Sequence, residues 1–353
     1  MYPKLKINLC KLEENTKFIK EKCDKNGISI MVVTKSFCAL NSAAKAVVDG
    51  GADMLADSRI SNLVKIKDLK VPKVLLRLPM LSETKEVVKF ADISLNSEID
   101  TIKSLSVEAN KLNKIHNVLL MIDLGDLREG ILPCDVDKTV EEILKLSGVN
   151  LYGIGVNLTC YGGVIPDEIN LGKLTEIATN IENKFKIKLE MISGGNSSSI
   201  YLLDNGKMPS KINNLRPGEV IVLGRETAFG ELIEGMHTDI FTLEAEVIEL
   251  KEKDSIPTGN IGMDAFGNNP VFLDKGKMKR AIIAIGRQDV NPDGLTPYDK
   301  DIEIVGASSD HLILDLTNTG KDYSIGSVIK FNIDYGALLM LTTSEYIEKE
   351  YIK

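Results

Sequence analysis

Ile30-Met31-Val32-Val33-Thr34-Lys35 decides how this 353-residue sequence is read. Its apolar residues run on without polar alternation, so the strand they form is expected to be buried on both faces, as strands of parallel sheets are. The run then stops at a lysine. Working outward, short strand-like segments fall at 28–33, 53–56, 73–76, 92–95, 118–122, 151–156, 189–192 and 212–215. Helix-like stretches at 13–25, 42–49, 98–112, 136–146 and 168–185 lie between them, and Asn41, Ser97, Asp135 and Asp167 stand where helix caps belong. Strands alternating with helices in this way predict an α/β fold, a (βα)8 TIM-like barrel over residues 1–228.

After Arg225 the rhythm changes. Segments 241–250, 279–285, 301–305, 311–316, 327–333 and 338–341 read as strands, and turn signals at 257–259, 291–294 and 318–320 separate them. Long helical periods disappear, which predicts a C-terminal antiparallel β domain over 229–353. Two domains also suit the length, which exceeds the usual size of one core.

Composition narrows the function. Forty-three Lys and Arg against 51 Asp and Glu give a net charge of −8, which disfavours nucleic acid as a partner. No apolar run approaches the ~18 residues of a membrane span, and the N-terminus lacks a signal-peptide core, so a cytosolic protein is expected. Five scattered cysteines and three distant histidines argue against a disulfide framework and against a metal centre.

In a parallel barrel, chemistry gathers where the strands end at their C-terminal edge. The residues just past the eight strands are Lys35, Asp57, Arg77, Asn96, Asp123, Asn157, Gly194 and Arg216. Polar residues commonly follow strands. Lys35 stands out because an amine attacks an aldehyde only when neutral, and burial penalises the ammonium form. The turn after the seventh strand reads Ser193-Gly194-Gly195-Asn196-Ser197-Ser198-Ser199, the outline of a phosphate cup: glycines admit an anion to backbone N–H groups, and hydroxyls add donors. Leu215-Arg216-Pro217-Gly218-Glu219 follows the last barrel strand, and barrel phosphate sites commonly use these two loops.

Val32-Val33-Thr34-Lys35, the loop from Asp123 to Gly130, Gly194-Gly195-Asn196-Ser197 and Leu215-Arg216-Pro217-Gly218, in this order, resemble the fold-type III pyridoxal-phosphate enzymes typified by alanine racemase. Over its full length the chain looks closest to ornithine racemases of clostridial type. The resemblance implies that Lys35 binds pyridoxal 5'-phosphate covalently and that Ser197, Ser198, Gly218 and Glu219 hold its phosphate. It further implies that Arg216 faces the pyridine nitrogen and that Arg128 binds the phenolic oxygen or the substrate carboxylate. A permanently charged arginine at the ring nitrogen keeps it unprotonated, which favours racemisation over transamination.

The sequence also departs from that family. The tyrosine and the glycine-histidine pair expected soon after the lysine are replaced by Ser36-Phe37-Cys38-Ala39. Met121 stands where a modified lysine is usual, and Asn157 where a histidine is usual. The β-domain tyrosine that acts from the opposite face is absent from Ile256-Pro257-Thr258-Gly259-Asn260-Ile261-Gly262. Its replacement is sought among Asp264, Tyr298, Asp310 and His311, and Asp264 or Asp310 also suits the side-chain ammonium of ornithine. The expectation is a homodimeric amino-acid racemase with shared active sites. A decarboxylase of a basic amino acid and a non-catalytic pyridoxal-phosphate-binding regulator are the rivals. Arg216 in place of an acid counts against the first, and the second domain against the other.

Overall fold

The computed structural model describes all of residues 1–353, and the chain divides into two compact units, Leu9–Thr238 and Met1–Asn8 with Asp239–Lys353. The sequence reading put the boundary near residue 228 and assigned the N-terminus to the barrel. Instead the first strand, β1 (Lys4–Asn8), belongs to the β unit.

In the barrel unit the strands are β2 (Ser29–Val33), β3 (Met54–Asp57), β4 (Lys73–Leu75), β5 (Ile93–Asn96), β6 (His116–Met121), β7 (Val149–Gly155), β8 (Met191–Asn196) and β9 (Asn214–Arg216). All neighbours are parallel, and β9 closes the barrel on β2 through Ser29↔Asn214 and Ile30↔Leu215. Met31, Ala56, Val74, Ile93, Leu95, Leu119, Met121 and Met191 form one buried cluster. A polar layer links β8, β9 and β2: Ser193 Oγ donates to Asn214 Oδ1 at 2.6 Å, and Asn214 Nδ2 lies 3.1 Å from Ser29 Oγ.

The helices follow the strands as anticipated, but their caps do so only once. Asp167 accepts from the N–H groups of Ile169 (2.9 Å) and Asn170 (2.7 Å) and opens the helix Glu168–Phe185. Asn41 is instead the first residue of the helix Asn41–Asp49, Ser97 lies one residue before the N-cap Glu98, and Asp135 caps with no side-chain bond.

His116 is fully packed where β6 begins, with Nε2 2.8 Å from Ser94 Oγ, and burial pushes its imidazole down to about 4. The other histidines face carboxylates, His237 with Glu14 at 2.6 Å and His311 with Asp310 at 2.9 Å.

In the β unit the strands are β10 (Phe241–Asp254), β11 (Lys277–Ile283), β12 (Leu295–Pro297), β13 (Glu303–Ala307), β14 (Leu312–Asp315), β15 (Val328–Ile333) and β16 (Glu348–Ile352). They pair in the order β12-β15-β10-β11-β14-β13, and β1 pairs antiparallel with β10 and parallel with β16. Residues 338–341, expected as a strand, lie instead in the helix Tyr335–Thr343, where Asp334 caps the N–H of Ala337 at 2.7 Å. No helix is long and apolar enough to cross a membrane.

Candidate active site

β2 delivers Lys35 at its C-terminal end, where a single tight turn, Lys35–Phe37, begins. The turn doubles back sharply: Cys38 and Ala39 both take left-handed backbone conformations (φ 53° and 48°), and the N–H of Ala39 returns to the Thr34 carbonyl at 3.1 Å. Such conformations are strained for residues with a side chain, so surrounding contacts must hold them. Thr34 supplies one, donating from Oγ1 to Asp57 Oδ2 at 2.7 Å. Asp57 is fully buried at the end of β3 and also accepts from Arg59 N (2.9 Å) and Asn62 Nδ2 (3.0 Å). Burial raises its carboxyl above the usual range, and these three hydrogen bonds act in the opposite direction.

The loop after β8 is built for close approach. Gly195 has φ +113°, and a Cβ there would lie 2.6 Å from Ser199 Oγ; at Gly194 it would lie 2.6 Å from Ile212 Cγ2. Asn196 accepts from the N–H of Ser198 at 2.8 Å and so caps the short turn Ser197–Ser199. Ser197 Oγ accepts from the N–H groups of Gly218 (3.0 Å) and Val220 (3.2 Å), which ties this loop to the one after β9 and leaves its own hydrogen to donate. Ser198 Oγ is buried without a partner, an arrangement that wants an acceptor such as a phosphate oxygen. Gly218 comes close to the lysine-bearing strand: a Cβ on it would lie 3.0 Å from Val33 Cβ, and the Val33 N–H donates to Pro217 O at 2.9 Å. Glu219, half-buried, opens the short helix Glu219–Leu223.

Two arginines add positive charge at this end of the barrel. Arg216 is buried and donates from Nη1 to Ser193 Oγ and from Nη2 to Val156 O at 2.5 Å. Burial pushes its guanidinium down to about 10, so it keeps its proton at neutral pH. Arg128 lies in the loop after β6, where its guanidinium forks onto Glu129: Nε donates to Oε2, and Nη2 to Oε1 at 2.5 Å. Asn157, past the end of β7, turns its amide oxygen to Arg128, because a guanidinium only donates; it accepts from Nη1 at 3.1 Å and from Nη2. Asn196 Nδ2 has acceptors of its own in Leu158 O (2.9 Å) and Cys160 Sγ (3.4 Å).

The four acid/base candidates of the β unit are separate from one another in part. Asp264, in the loop between β10 and β11, accepts from the N–H groups of Asn268 (2.8 Å) and Phe266 (2.9 Å). Those bonds, Asn268 foremost, hold its carboxyl below the usual range. Asp310 and His311 share the turn between β13 and β14, and their pairing lowers the Asp310 carboxyl. Arg287 connects the two places, with its guanidinium 5.4 Å from the Phe266 ring centre and its backbone N–H on Ser308 O at 2.9 Å. Tyr298 follows β12, and burial raises its phenol.

A family model described as the N-terminal domain of alanine racemase matches residues 7–226, which span the whole barrel and the loops after β8 and β9. The chain belongs to the alanine racemase family. It is 53% identical over its full length, and over the full length of the relative, to the ornithine racemase of Acetoanaerobium sticklandii. It is 41% identical to the lysine racemase of Thermotoga maritima, with 99% of each chain covered. Among solved structures, an alanine racemase from Bartonella henselae with covalently bound pyridoxal phosphate aligns at a TM-score of 0.75, 16% identity and 99% coverage of both chains, a likeness of fold.

This racemase-family chain is an isomerase, and its cofactor is pyridoxal 5'-phosphate. The residues present fit that group, since the orphaned Ser198 hydroxyl, the free hydrogen of Ser197 and the glycine-lined backbone form a donor set for a phosphate. Three residues of the site went unnoticed in the sequence as structural partners: Glu129, Asn196 and Thr34. Glu129 was visible only as the neighbour of Arg128, and residues adjacent in sequence ordinarily point apart.

Proposed function

We propose that this chain interconverts L- and D-ornithine, using pyridoxal phosphate held by Lys35, as a cytosolic homodimer with shared active sites. The observation that carries the reading is the 53% identity over the full length of both chains to an ornithine racemase. The donor set for a phosphate stands beside it. The bound cofactor withdraws electrons from the substrate α-carbon, so that its proton can leave. Ser197, Ser198, Gly218 and Glu219, through side chain or backbone N–H, would hold the phosphate. Arg216 would face the ring nitrogen and, being charged, would keep it unprotonated. Arg128, with Asn157, takes the phenolic oxygen or the substrate carboxylate.

Lys35 Nζ takes the α-proton on one face and returns it there. Inversion also needs a group on the other face. We assign it to the β unit of a second copy, among Asp264, Tyr298, Asp310 and His311, with Asp264 or Asp310 pairing the distal ammonium. A decarboxylase reading is disfavoured, since Arg216 stands in place of an acid.

Incubation with single enantiomers of ornithine, lysine and alanine, followed by chiral chromatography, tests the function; fastest inversion of lysine or alanine, or release of carbon dioxide without inversion, rejects it. Borohydride reduction of the holoenzyme should leave the pyridoxyl group on the peptide that contains Lys35. Recovery on another lysine removes Lys35 from its role.

A further inference from the structure

The Arg128 guanidinium is the outermost cation of the site, with its side chain 41% exposed, yet the carboxylate beneath it is only 13% exposed. A carboxylate so withdrawn from water needs a permanent partner. Glu129 has Arg128 on both oxygens, and it is the largest charge acting on Arg216 as well. One acid therefore pairs directly with Arg128 and acts on Arg216 only through its charge. The three groups leave a surplus of one positive charge, which suits one anionic ligand group.

The backbone explains how neighbouring side chains come to lie side by side. Asp123 Oδ1 accepts from the N–H groups of Gly125 (2.8 Å) and Leu127 (3.2 Å), and Leu127 takes a left-handed conformation (φ 56°). Gly130 has φ +130°, and a Cβ there would lie 2.4 Å from the Asp123 nitrogen. Asp126, buried, grips the next loop through the N–H groups of Tyr161 (3.0 Å) and Val164 (3.3 Å). The loop is thus fixed on both sides of the pair. A long arginine arm would still swing on such a base unless its head were held.

We infer that Glu129 is a positioning residue, which clamps the Arg128 guanidinium in one orientation so that its remaining Nη1 N–H meets an anionic group of the substrate or cofactor. Both fork bonds to Glu129 use Nε and Nη2, and Asn157 takes one N–H of each Nη, so Nη1 keeps a donor. The inference rests on the reading of Arg128 given above.

Two measurements on the holoenzyme test it: KM and kcat for ornithine, and the rate at which phenylglyoxal modifies Arg128 without substrate, read by peptide mass mapping. In Glu129→Gln, KM should rise about tenfold, and Arg128 should be modified about tenfold faster because its head is released. Glu129→Asp keeps the charge on a shorter arm and should recover part of both effects; it also serves if the glutamine variant fails to fold. An unchanged modification rate overturns the clamp. Faster modification with an unchanged KM overturns the positioning role, and Arg128→Ala then locates the fault: if that variant also keeps its KM, the reading of Arg128 itself is wrong.

Discussion

In the proposed mechanism Arg216 sets which reaction the site favours, and its two hydrogen-bond acceptors, Ser193 Oγ and Val156 O, are neutral. Replacing it with Glu should leave cofactor bound but divert turnover toward transamination, measured as 2-oxo acid released per inversion event. An unchanged ratio would falsify this account of reaction control. His116 makes a prediction about stability. Its folded value of about 4 lies below the ordinary 6.5, so between those values the unfolded chain binds the extra proton and stability falls as pH falls. Across that window the loss should reach about 3 kcal/mol, the free-energy equivalent of the shift. Urea unfolding at pH 7 and pH 4.5 should show this loss in the native chain and little of it in His116→Gln, which has no proton to take up.

At the scale of elements, the barrel was legible because strand-like segments alternate with helix-like ones: each of the eight expected segments overlaps an observed strand, although the eighth, Ile212-Asn213-Asn214-Leu215, is no apolar run. The helix Tyr335–Thr343 was misread. Ala337-Leu338-Leu339-Met340-Leu341 is apolar throughout and carries no period, so a helix and a strand look alike there. The signal that separates them is Asp334, whose carboxylate caps the Ala337 N–H. Asp334→Ala should therefore destabilise the chain by about 1 kcal/mol in denaturant titrations, and a neutral outcome would mean that packing alone fixes this helix. Lys35 and the serine-glycine turn could be found from strand ends. The clamp of Glu129 on Arg128 could not, since it depends on a left-handed Leu127 that no propensity foretells.

At the scale of the whole chain, β1 was missed although Lys4-Leu5-Lys6-Ile7-Asn8 alternates as a half-buried strand should. Its partners lie in β10 and at the far terminus, where Lys4 meets Glu348 and Asn8 meets Ile352, and no local window spans that separation. Removing residues 348–353 should lower the melting temperature by about 5 °C or more, because β1 loses one neighbour along its length and Lys4 loses Glu350. A melting temperature unchanged by the truncation would show that β10 alone holds β1. The same pairing constrains the order of events during synthesis. β1 must wait for β10 and then for β16, and at ~5–20 residues per second that wait lasts tens of seconds. Until β10 is made, the alternating apolar face of Leu5 and Ile7 has no sheet to join, which makes this segment a natural client for chaperones.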